Sequence, residues 1–575
     1  LGVVARAPAL LRCLSPAHPT LGGSAAQMAG HDLAPAAPRA APSQGPALCL
    51  SGGGYRASSV EAALTSGLLA VAHALRPGAE ASPTLKGTGL YAHIASMATV
   101  SGGSWFAAGL IYSERAVGLV EAMAATPTEA AALHRKGWAE PLLSIASKDS
   151  PFVQDVAKLL KLLGAVGLSQ DLLVFGYVWQ EGRTWTTFCE MVLELTAGVG
   201  TSITLGSPVM AWAEGKVWLV AHTQVTPRAK SKMQVHIAEE VWPARAIKQT
   251  VTGRGVSVFT PAMYSYVLGS SNAPAPVRYV NPSALPQADR LNYEGDVWSW
   301  CPCGCAKYKA RAAAGDFSTL VEWAADLSVV SCAAASSAAF GGAMVLLKPM
   351  TLAMDANRGD LAVWQGTGFA AGESFSRAAT LVSEVNRHGD VSQKAVDRLA
   401  DGAVRPVIDG AYADNTGVGY AVSAGAVEVV AYLNPEASNV PVDLALLFQD
   451  SSKVVGFLEP MFEPIFEQTA EWMATKYASL PKLALSAGTK HVTAISVGTL
   501  YVTTCESSLW GTRQGTRVTL HLVGVAAAVT IGLLEDIFKY DVLTQEIIEA
   551  VVAPENADLV QDTVLPWFLR PSDKL

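Results

Sequence analysis

Three turn-like stretches of this chain carry residue types that together could perform acyl transfer. Residues 99–105 read TVSGGSW, residues 51–56 read SGGGYR, and residues 407–415 read VIDGAYADN. A serine hydroxyl becomes a nucleophile when a neighbouring base accepts its proton. Glycine amides can stabilise the oxyanion that forms when the serine attacks a carbonyl carbon. The residue types therefore indicate a covalent acyl-serine intermediate.

Ser101 stands between a predicted strand and a predicted helix. An apolar, small-residue run from Tyr91 to Val100 precedes it, and a helix-compatible run from Trp105 to Tyr112 follows it. A serine in this place, followed by two glycines, is typical of a nucleophile elbow, where a cramped backbone requires small neighbours. Thr99 departs from the G-x-S-x-G form, which has glycine there. A plain turn that joins two elements is the alternative interpretation.

The glycine run lies between a short apolar segment, residues 47–50, and a predicted helix from Ser59 to Leu75. Consecutive glycines cost backbone entropy unless a ligand or another backbone must come close. We therefore predict that the N–H groups of Gly53 and Gly54 form an oxyanion hole. A phosphate-binding loop is the weaker alternative, because the Gly-Lys-Ser/Thr ending of a P-loop and the G-x-G-x-x-G spacing are both missing.

Asp409 follows an apolar pair and is predicted to bring a carboxylate to the same edge of a sheet as Ser101. An aspartate beside a serine can accept its proton without a histidine between them. Alternatively, Asp409 or Asp414 only caps the following helix, as turn aspartates usually do. A Ser–Asp–His hydrolase is a further alternative, since His491 and His521 follow in the order found in α/β-hydrolases.

In this order, the three motifs resemble those of the cytosolic phospholipase A2/lysophospholipase family, a branch of the patatin-like lipases. Residues 259–270 and 335–340 also resemble landmarks of that family, so that the likeness extends over about residues 46–435. The resemblance implies a three-layer α/β fold with a mostly parallel central sheet and inserted cap elements.

The resemblance also implies a role for each motif. Ser101 would be the nucleophile and Asp409 its dyad partner, with Gly53 and Gly54 in the oxyanion hole. Arg56 would face the substrate phosphate, with a structural ion pair as the alternative role. The implied substrate is a phospholipid or lysophospholipid at a membrane surface, and neither a cofactor nor a metal is implied. A catalytically silent lipid-binding or scaffold protein, and an acyltransferase, are the alternative functions.

Length and composition set the domain organisation that we expect. The chain has 575 residues, of which 50% are hydrophobic and 16% charged, a globular composition. We expect a flexible or targeting segment over residues 1–45 and one catalytic domain over 46–575. That domain would contain an insertion at about 113–250 and a C-terminal elaboration at about 436–575. The alternation of predicted strands and helices independently favours an α/β layered fold.

Charge and hydropathy restrict the partners and the location. The net charge of −8 disfavours a nucleic-acid partner. The best apolar run, residues 522–534, is shorter than the roughly 20 residues that a bilayer needs. We expect an intracellular protein, soluble or peripheral to a membrane. The Ala- and Arg-rich start leaves organellar targeting open.

The eight cysteines do not form the pattern of a disulfide scaffold, so a reducing compartment is expected. Cys301, Cys303 and Cys305 lie in a stretch that we predict as a long loop, residues 281–306. A metal site there is the weaker interpretation, because zinc takes four ligands and no histidine is near in the sequence. Free thiols or a disulfide are favoured instead.

Overall fold

The structure is a computed structural model. It describes residues 45–76, 81–143, 185–227, 249–253, 257–269, 277–280, 294–301, 304–311, 321–323, 328–337, 364–366, 404–435, 441–455, 463–507, 509–528 and 537–569. The predicted N-terminal segment lies outside these residues, apart from Gly45, as does much of the predicted insertion.

The described strands run from the first apolar segment to the C-terminal part of the chain. They are β1 Ala47–Leu50, β2 Ser96–Thr99, β3 Val217–Pro227, β4 Gln249–Gly253, β5 Ser257–Val267, β6 Val277–Val280, β7 Glu294–Cys301, β8 Gly304–Arg311, β9 Val321–Trp323, β10 Trp364–Gly366, β11 Val404–Asp409, β12 Glu428–Leu433, β13 Phe448–Gln449, β14 Phe466–Thr469, β15 Val492–Thr503 and β16 Arg517–Ala527.

The described α-helices alternate with these strands along much of the chain. They are α1 Gly54–Ala74, α2 Leu85–Thr88, α3 Gly102–Tyr112, α4 Glu114–Ala125, α5 Ala130–His134, α6 Glu140–Leu143, α7 Trp185–Ala197, α8 Val329–Ser336, α9 Val418–Ser423, α10 Val442–Ala445, α11 Ser452–Val455, α12 Ala470–Ala478, α13 Ile537–Val552 and α14 Ala557–Leu559.

The centre of the main sheet is parallel. Five neighbouring strands, in the order β16, β12, β1, β2 and β3, are joined by parallel pairing. Antiparallel strands extend the sheet at both sides, with β15 beyond β16 and β5, β6 and β9 beyond β3. The predicted α/β class with a parallel centre is therefore confirmed. The strands of the C-terminal part, β15 and β16, belong to this sheet.

Strand β11, which ends at Asp409, runs in the opposite direction to the parallel centre. Residues Val217 to Val220 of β3 pair with β2, and residues His222 to Gln224 pair with β11 on the same side of β3. Strand β5 occupies the other side of β3 along its whole length. Strands β2 and β11 therefore approach each other end to end, and their carboxyl ends meet. The sequence predicted this meeting, whereas the antiparallel direction of β11 follows from tertiary pairing.

The two faces of the central sheet are covered by separate apolar cores. Along β1, Leu48 and Leu50 belong to one core, whereas Ala47 and Cys49 belong to the other, on the face of α9. This alternation is the two-residue period of a strand that is buried on both faces. Each fully buried leucine contributes about 2 kcal/mol to stability. The parallel centre is thus a rigid support for the turns at its carboxyl edge.

Helix α1 is buried along most of its length. Tyr55 to Leu69 are all buried, and α13 and α4 pack against the same helix. A helix that is enclosed on all sides belongs to the interior of a large domain. The N-terminus of α1 is consequently held in a fixed position beside the sheet.

The prediction of a loop over residues 281–306 is wrong for the second half of this stretch. Glu294–Cys301 and Gly304–Arg311 are two antiparallel paired strands, in which Cys301 pairs with Gly304. Proline, asparagine and glycine made the stretch look like a loop, but backbone pairing between two strands is decided by their partners. Within the described residues, no helix is both long and apolar enough to cross a bilayer.

Candidate active site

Ser101 occupies the turn between β2 and α3 with an unusual backbone conformation. Its φ of 52° and ψ of −120° lie in a region that non-glycine residues rarely adopt. Such strain persists only where surrounding contacts enforce it, and it is frequent at functional sites. The residue is the N-cap of α3, so the positive end of the helix dipole points toward it.

The hydroxyl of Ser101 donates a hydrogen bond directly to Asp409. Ser101 Oγ lies 2.9 Å from Asp409 Oδ2, although 308 residues separate the two in sequence. The other carboxylate oxygen, Oδ1, accepts from the backbone N–H of Ala411 at 2.8 Å. Ser101 is 8% exposed and Asp409 is 2% exposed. The Ala411 amide fixes the carboxylate so that one oxygen faces the serine.

Burial also makes Asp409 a stronger base than an exposed aspartate. Loss of solvation raises the pKa of Asp409 to about 6, while hydrogen bonds from Ala411 and Ser101 act in the opposite direction. A general base works best when its pKa lies near the working pH. At neutral pH, the carboxylate is mostly ionised and can accept the proton of Ser101.

The glycine loop packs directly on the serine turn. A Cβ on Gly52 would lie 2.1 Å from Asn415 Oδ1 and 3.0 Å from Ser101 Cβ, and a Cβ on Gly102 would lie 2.2 Å from Gly54 O. Neither position has space for a side chain. The close approach of two backbones is the reason for glycine on both sides of the contact.

The amides of this loop differ in their partners. Gly52 N–H donates to Asn415 O at 2.9 Å. Within the described residues, neither Gly53 N–H nor Gly54 N–H has an acceptor in the structure. Gly53 (φ 146°) and Gly54 (φ 58°) adopt conformations that favour glycine, at the N-terminus of α1. Both amides remain available for an anionic oxygen, as an oxyanion hole requires.

Arg56 lies in the first turn of α1 and is 3% exposed. Its Nη2 donates to Asn434 O at 2.9 Å, and the side-chain amide of Asn434 donates to Ser51 Oγ at 2.9 Å. These contacts tie α1 to the end of β12, beside the glycine loop. The phosphate-binding role of Arg56 remains a prediction.

Capping, the alternative role of the two aspartates, occurs at both: Asp409 caps the short 3₁₀ helix Gly410–Tyr412 through Ala411 N–H, and Asp414 caps α9. Its Oδ1 accepts from the N–H and the hydroxyl of Thr416, and its Oδ2 accepts from Gly419 N–H. Burial raises the pKa of Asp414 to about 6, as it does for Asp409. Asp409 and Asp414 are therefore both buried and both have a raised pKa, but their carboxylate oxygens accept from different donors.

The two histidines of the alternative triad lie elsewhere. His521 contacts Thr499 and Glu428 and stacks on Trp567, with the ring centroids 4.7 Å apart. The backbone N–H of His491 donates to Glu546. Both histidines belong to the part of the chain around β15 and β16, and their described contacts do not include the dyad.

The histidine beside Asp409 is one that the sequence did not suggest. His222 of β3 is the residue paired with Asp409 across the sheet. It is fully buried, and the loss of solvation lowers its pKa to about 3, so the ring is neutral at physiological pH. His222 lies inside a strand-like stretch without a local motif, and only the pairing of β3 with β11 brings it near Asp409.

Metal and cofactor binding is described only for part of the chain. Within the described residues, there is no group of three or more His, Cys, Asp or Glu side chains that could hold a metal ion. The carboxylates of Asp409 and Asp414 are both engaged by donors. The groups that the described residues bring together here are the hydroxyl of Ser101, the carboxylate of Asp409 and the backbone amides of the glycine loop.

Comparison with known proteins adds no family assignment. Neither a scan against protein-family models nor a search of curated protein sequences found a match to this chain. The resemblance carried by the three motifs therefore remains a prediction.

Proposed function

We propose that this protein is a serine acyl hydrolase that cleaves fatty acyl esters of phospholipids or lysophospholipids. The observation that carries the proposal is the 2.9 Å hydrogen bond from Ser101 Oγ to Asp409 Oδ2. A nucleophile that touches its base, in a strained turn at a helix N-terminus, is the arrangement expected for covalent acyl transfer.

In the proposed reaction, Asp409 accepts the proton of Ser101 as the serine oxygen attacks the ester carbonyl. The amides of Gly53 and Gly54 stabilise the oxyanion, and each such donor lowers the barrier by roughly 3–4 kcal/mol. The alcohol leaves with the proton from Asp409, and an acyl-serine remains. Water then attacks the acyl group, again with Asp409 as base, and restores the free serine.

The choice of a lipid ester comes from the motif resemblance, together with the position of Arg56. The Arg56 side chain lies near the glycine loop through Asn434 and Ser51. A guanidinium there is suited to a phosphate, with which it can form paired hydrogen bonds. An alcohol in place of water as the final acceptor would make the same site an acyltransferase.

A fluorophosphonate probe tests the proposal, because it reacts covalently with an activated serine. We expect the wild-type protein to be labelled and the Ser101→Ala variant to remain unlabelled. A wild-type protein that is folded but unlabelled would support the silent scaffold instead. Turnover of diacyl phospholipids, lysophospholipids, triacylglycerol and simple esters by the active protein then defines the substrate, and preference for the simple esters would reject the lipid assignment.

A further inference from the structure

Thr99, which stands where a nucleophile elbow usually has glycine, is part of a buried chain of hydrogen bonds. Trp218 Nε1 donates to Thr99 Oγ1 at 3.0 Å, and Thr99 Oγ1 lies 2.9 Å from Ser104 Oγ. The side chains of all three residues are fully buried. The β-branched residue is thus accommodated at the strand end, and its hydroxyl has specific partners.

The chain of hydrogen bonds continues to the backbone of the nucleophile. Ser104 Oγ lies 2.8 Å from Ser336 Oγ, at the end of α8. The N–H of Ser101 donates to Ser336 Oγ at 3.0 Å and to Ser336 O at 3.1 Å. Three side-chain hydroxyls therefore connect Trp218 to the Ser101 amide.

An N–H group donates into each end of this chain of hydroxyls. An indole N–H can only donate, so Thr99 Oγ1 accepts from Trp218. In the Thr99–Ser104 pair and in the Ser104–Ser336 pair, either hydroxyl can be the donor. Hydroxyls that are joined in a chain polarise one another's hydrogen bonds. At the other end of the chain, Ser336 Oγ accepts from the amide of Ser101.

This amide belongs to the residue with the strained backbone. With φ at 52°, Ser101 needs contacts that hold it in place. Ser336 holds the backbone N–H from one side, while Asp409 accepts from the hydroxyl on the other. Rotation of the turn by a small angle would lengthen both hydrogen bonds, and a displacement of the order of 1 Å at a nucleophile can cost about a hundredfold in rate.

We propose that Thr99 is a positioning residue for Ser101, and that it acts through the hydroxyls of Ser104 and Ser336. In this protein, the threonine takes the place of the elbow glycine because its hydroxyl joins the tryptophan donor to this chain. The inference concerns the same site as the proposed serine hydrolase activity and rests on that proposal for its catalytic consequence.

Thr99→Val tests the inference, because valine has nearly the shape of threonine but no hydroxyl. We expect the maximal rate of fluorophosphonate labelling at Ser101 to fall about tenfold to a hundredfold. The probe concentration for half-maximal labelling should stay within about threefold, since the replaced side chain is fully buried. Thr99→Ser should restore the rate. A Thr99→Val protein that is labelled as fast as wild type would overturn the inference.

Two neighbouring serines provide a matched pair of variants that leave Thr99 in place. Ser336→Ala removes the side-chain acceptor of the Ser101 amide, leaves the backbone acceptor Ser336 O in place, and should slow labelling as Thr99→Val does. Ser337→Ala removes a hydroxyl that binds Trp105 and Ala333 instead, and should leave labelling nearly unchanged. Equal labelling rates for Ser336→Ala and Ser337→Ala would contradict the inference. This test remains valid if Thr99→Val does not fold.

Amide hydrogen exchange separates this inference from the proposed function. In the intact protein, exchange at Ser101 should be faster in Thr99→Val and in Ser336→Ala than in wild type or Ser337→Ala. If wild type is not labelled but exchange responds in this way, the proposed activity fails and the positioning role stands. If wild type is labelled but exchange does not respond, the positioning role fails and the activity stands.

Discussion

Two buried serines of this protein lie in hydrogen-bonded arrangements that resemble catalytic sites. One lies at the edge of the sheet and the other in the interior of the domain. Ser101 donates directly to Asp409 at the carboxyl edge of the sheet. In the interior, Ser59 Oγ lies 3.4 Å from His134 Nε2, and His134 Nδ1 lies 2.7 Å from Asp541 Oδ1. The second arrangement has the order of a Ser–His–Asp triad, whereas the first has no histidine between its members.

The interior arrangement lacks the other features that covalent catalysis needs. Ser59 is 0% exposed and lies within α1, where backbone N–H groups are used in helical hydrogen bonds. Ser101, by contrast, stands in a strained turn against a loop whose Gly53 and Gly54 amides have no acceptor among the described residues. Hydrogen-bond order alone is therefore a poor criterion for a catalytic serine, and the backbone around the hydroxyl is the better one.

The two aspartates also differ in their effect on stability. Asp541 has both oxygens paired, with His134 and with Arg135 Nε at 2.9 Å. Asp409 has a neutral hydroxyl and one amide as partners, and burial raises its pKa from 3.8 to about 6. That difference corresponds to about 3 kcal/mol of lost stability when the carboxylate is ionised. We therefore expect Asp541 to stabilise the fold, whereas ionised Asp409 lowers the free energy of unfolding.

The largest expected difference between the two regions concerns the serines themselves. Ser101→Ala should abolish fluorophosphonate labelling and lower turnover by more than about 10⁴-fold, because the nucleophile is lost. Ser59→Ala should keep labelling at the wild-type level. Mass spectrometry of the labelled peptide measures both. A label found on Ser59 would show that the interior arrangement is reactive and would reverse the comparison.

Replacement of the two aspartates should separate activity from stability. Asp409→Asn should reduce the labelling rate by roughly 10³-fold, since the base is removed. It should also raise the free energy of unfolding at pH 8 by about 1–3 kcal/mol, because a group with a raised folded pKa loses stability as pH rises from about 4 through about 6.

Asp541→Asn should have the converse effect. Loss of the partner for His134 and Arg135 should lower the free energy of unfolding by about 3 kcal/mol, with labelling of the folded fraction maintained. Denaturant titrations at pH 5 and pH 8 measure the stability of both variants. If Asp409→Asn is less stable than wild type at pH 8, the stability cost assigned to Asp409 is incorrect.

A single methyl group should also affect the two regions differently. In Gly52→Ala, the new Cβ would meet Asn415 Oδ1 and Ser101 Cβ, so we expect about a hundredfold slower labelling. In Gly67→Ala, the Cβ would lie 2.8 Å from Val551 Cβ, between α1 and α13. That variant should change the melting temperature and leave the labelling rate of the folded protein unchanged. Equal labelling of the two variants would mean that the glycine loop does not support the nucleophile.

The sequence predicted the sheet edge that carries Ser101 and Asp409 better than the elements that support it. Local sequence patterns predicted the strands before Ser101 and Gly52. The rule that strand ends share one edge of a sheet predicted the contact of Ser101 with Asp409. The antiparallel direction of β11 and its pairing with His222 have no local signal. Both depend on which strand the segment meets more than 180 residues away in sequence.

Thr99 illustrates the same limit at a single residue. From sequence, it was a departure from the elbow pattern and a reason to consider a silent protein. In the structure, its partners are Ser104, five residues away, and Trp218, 119 residues away. Distant hydrogen-bond partners determine whether a residue is a defect or a support, and local propensity contains no information on them.

The smallest expected effect is the pH dependence that Asp409 gives to the edge site. With a pKa of about 6, the carboxylate is mostly protonated at pH 5 and mostly ionised at pH 7. Labelling of wild type should therefore rise about tenfold over this interval, since only the ionised form accepts a proton. Asp414 has a pKa of about 6 as well but binds only Thr416 and Gly419. In Asp414→Asn, the pH at which labelling reaches half its maximal rate should therefore stay the same as in wild type. If this midpoint disappears in Asp414→Asn, the titration belongs to Asp414, and the pH dependence is no evidence that Asp409 is the base.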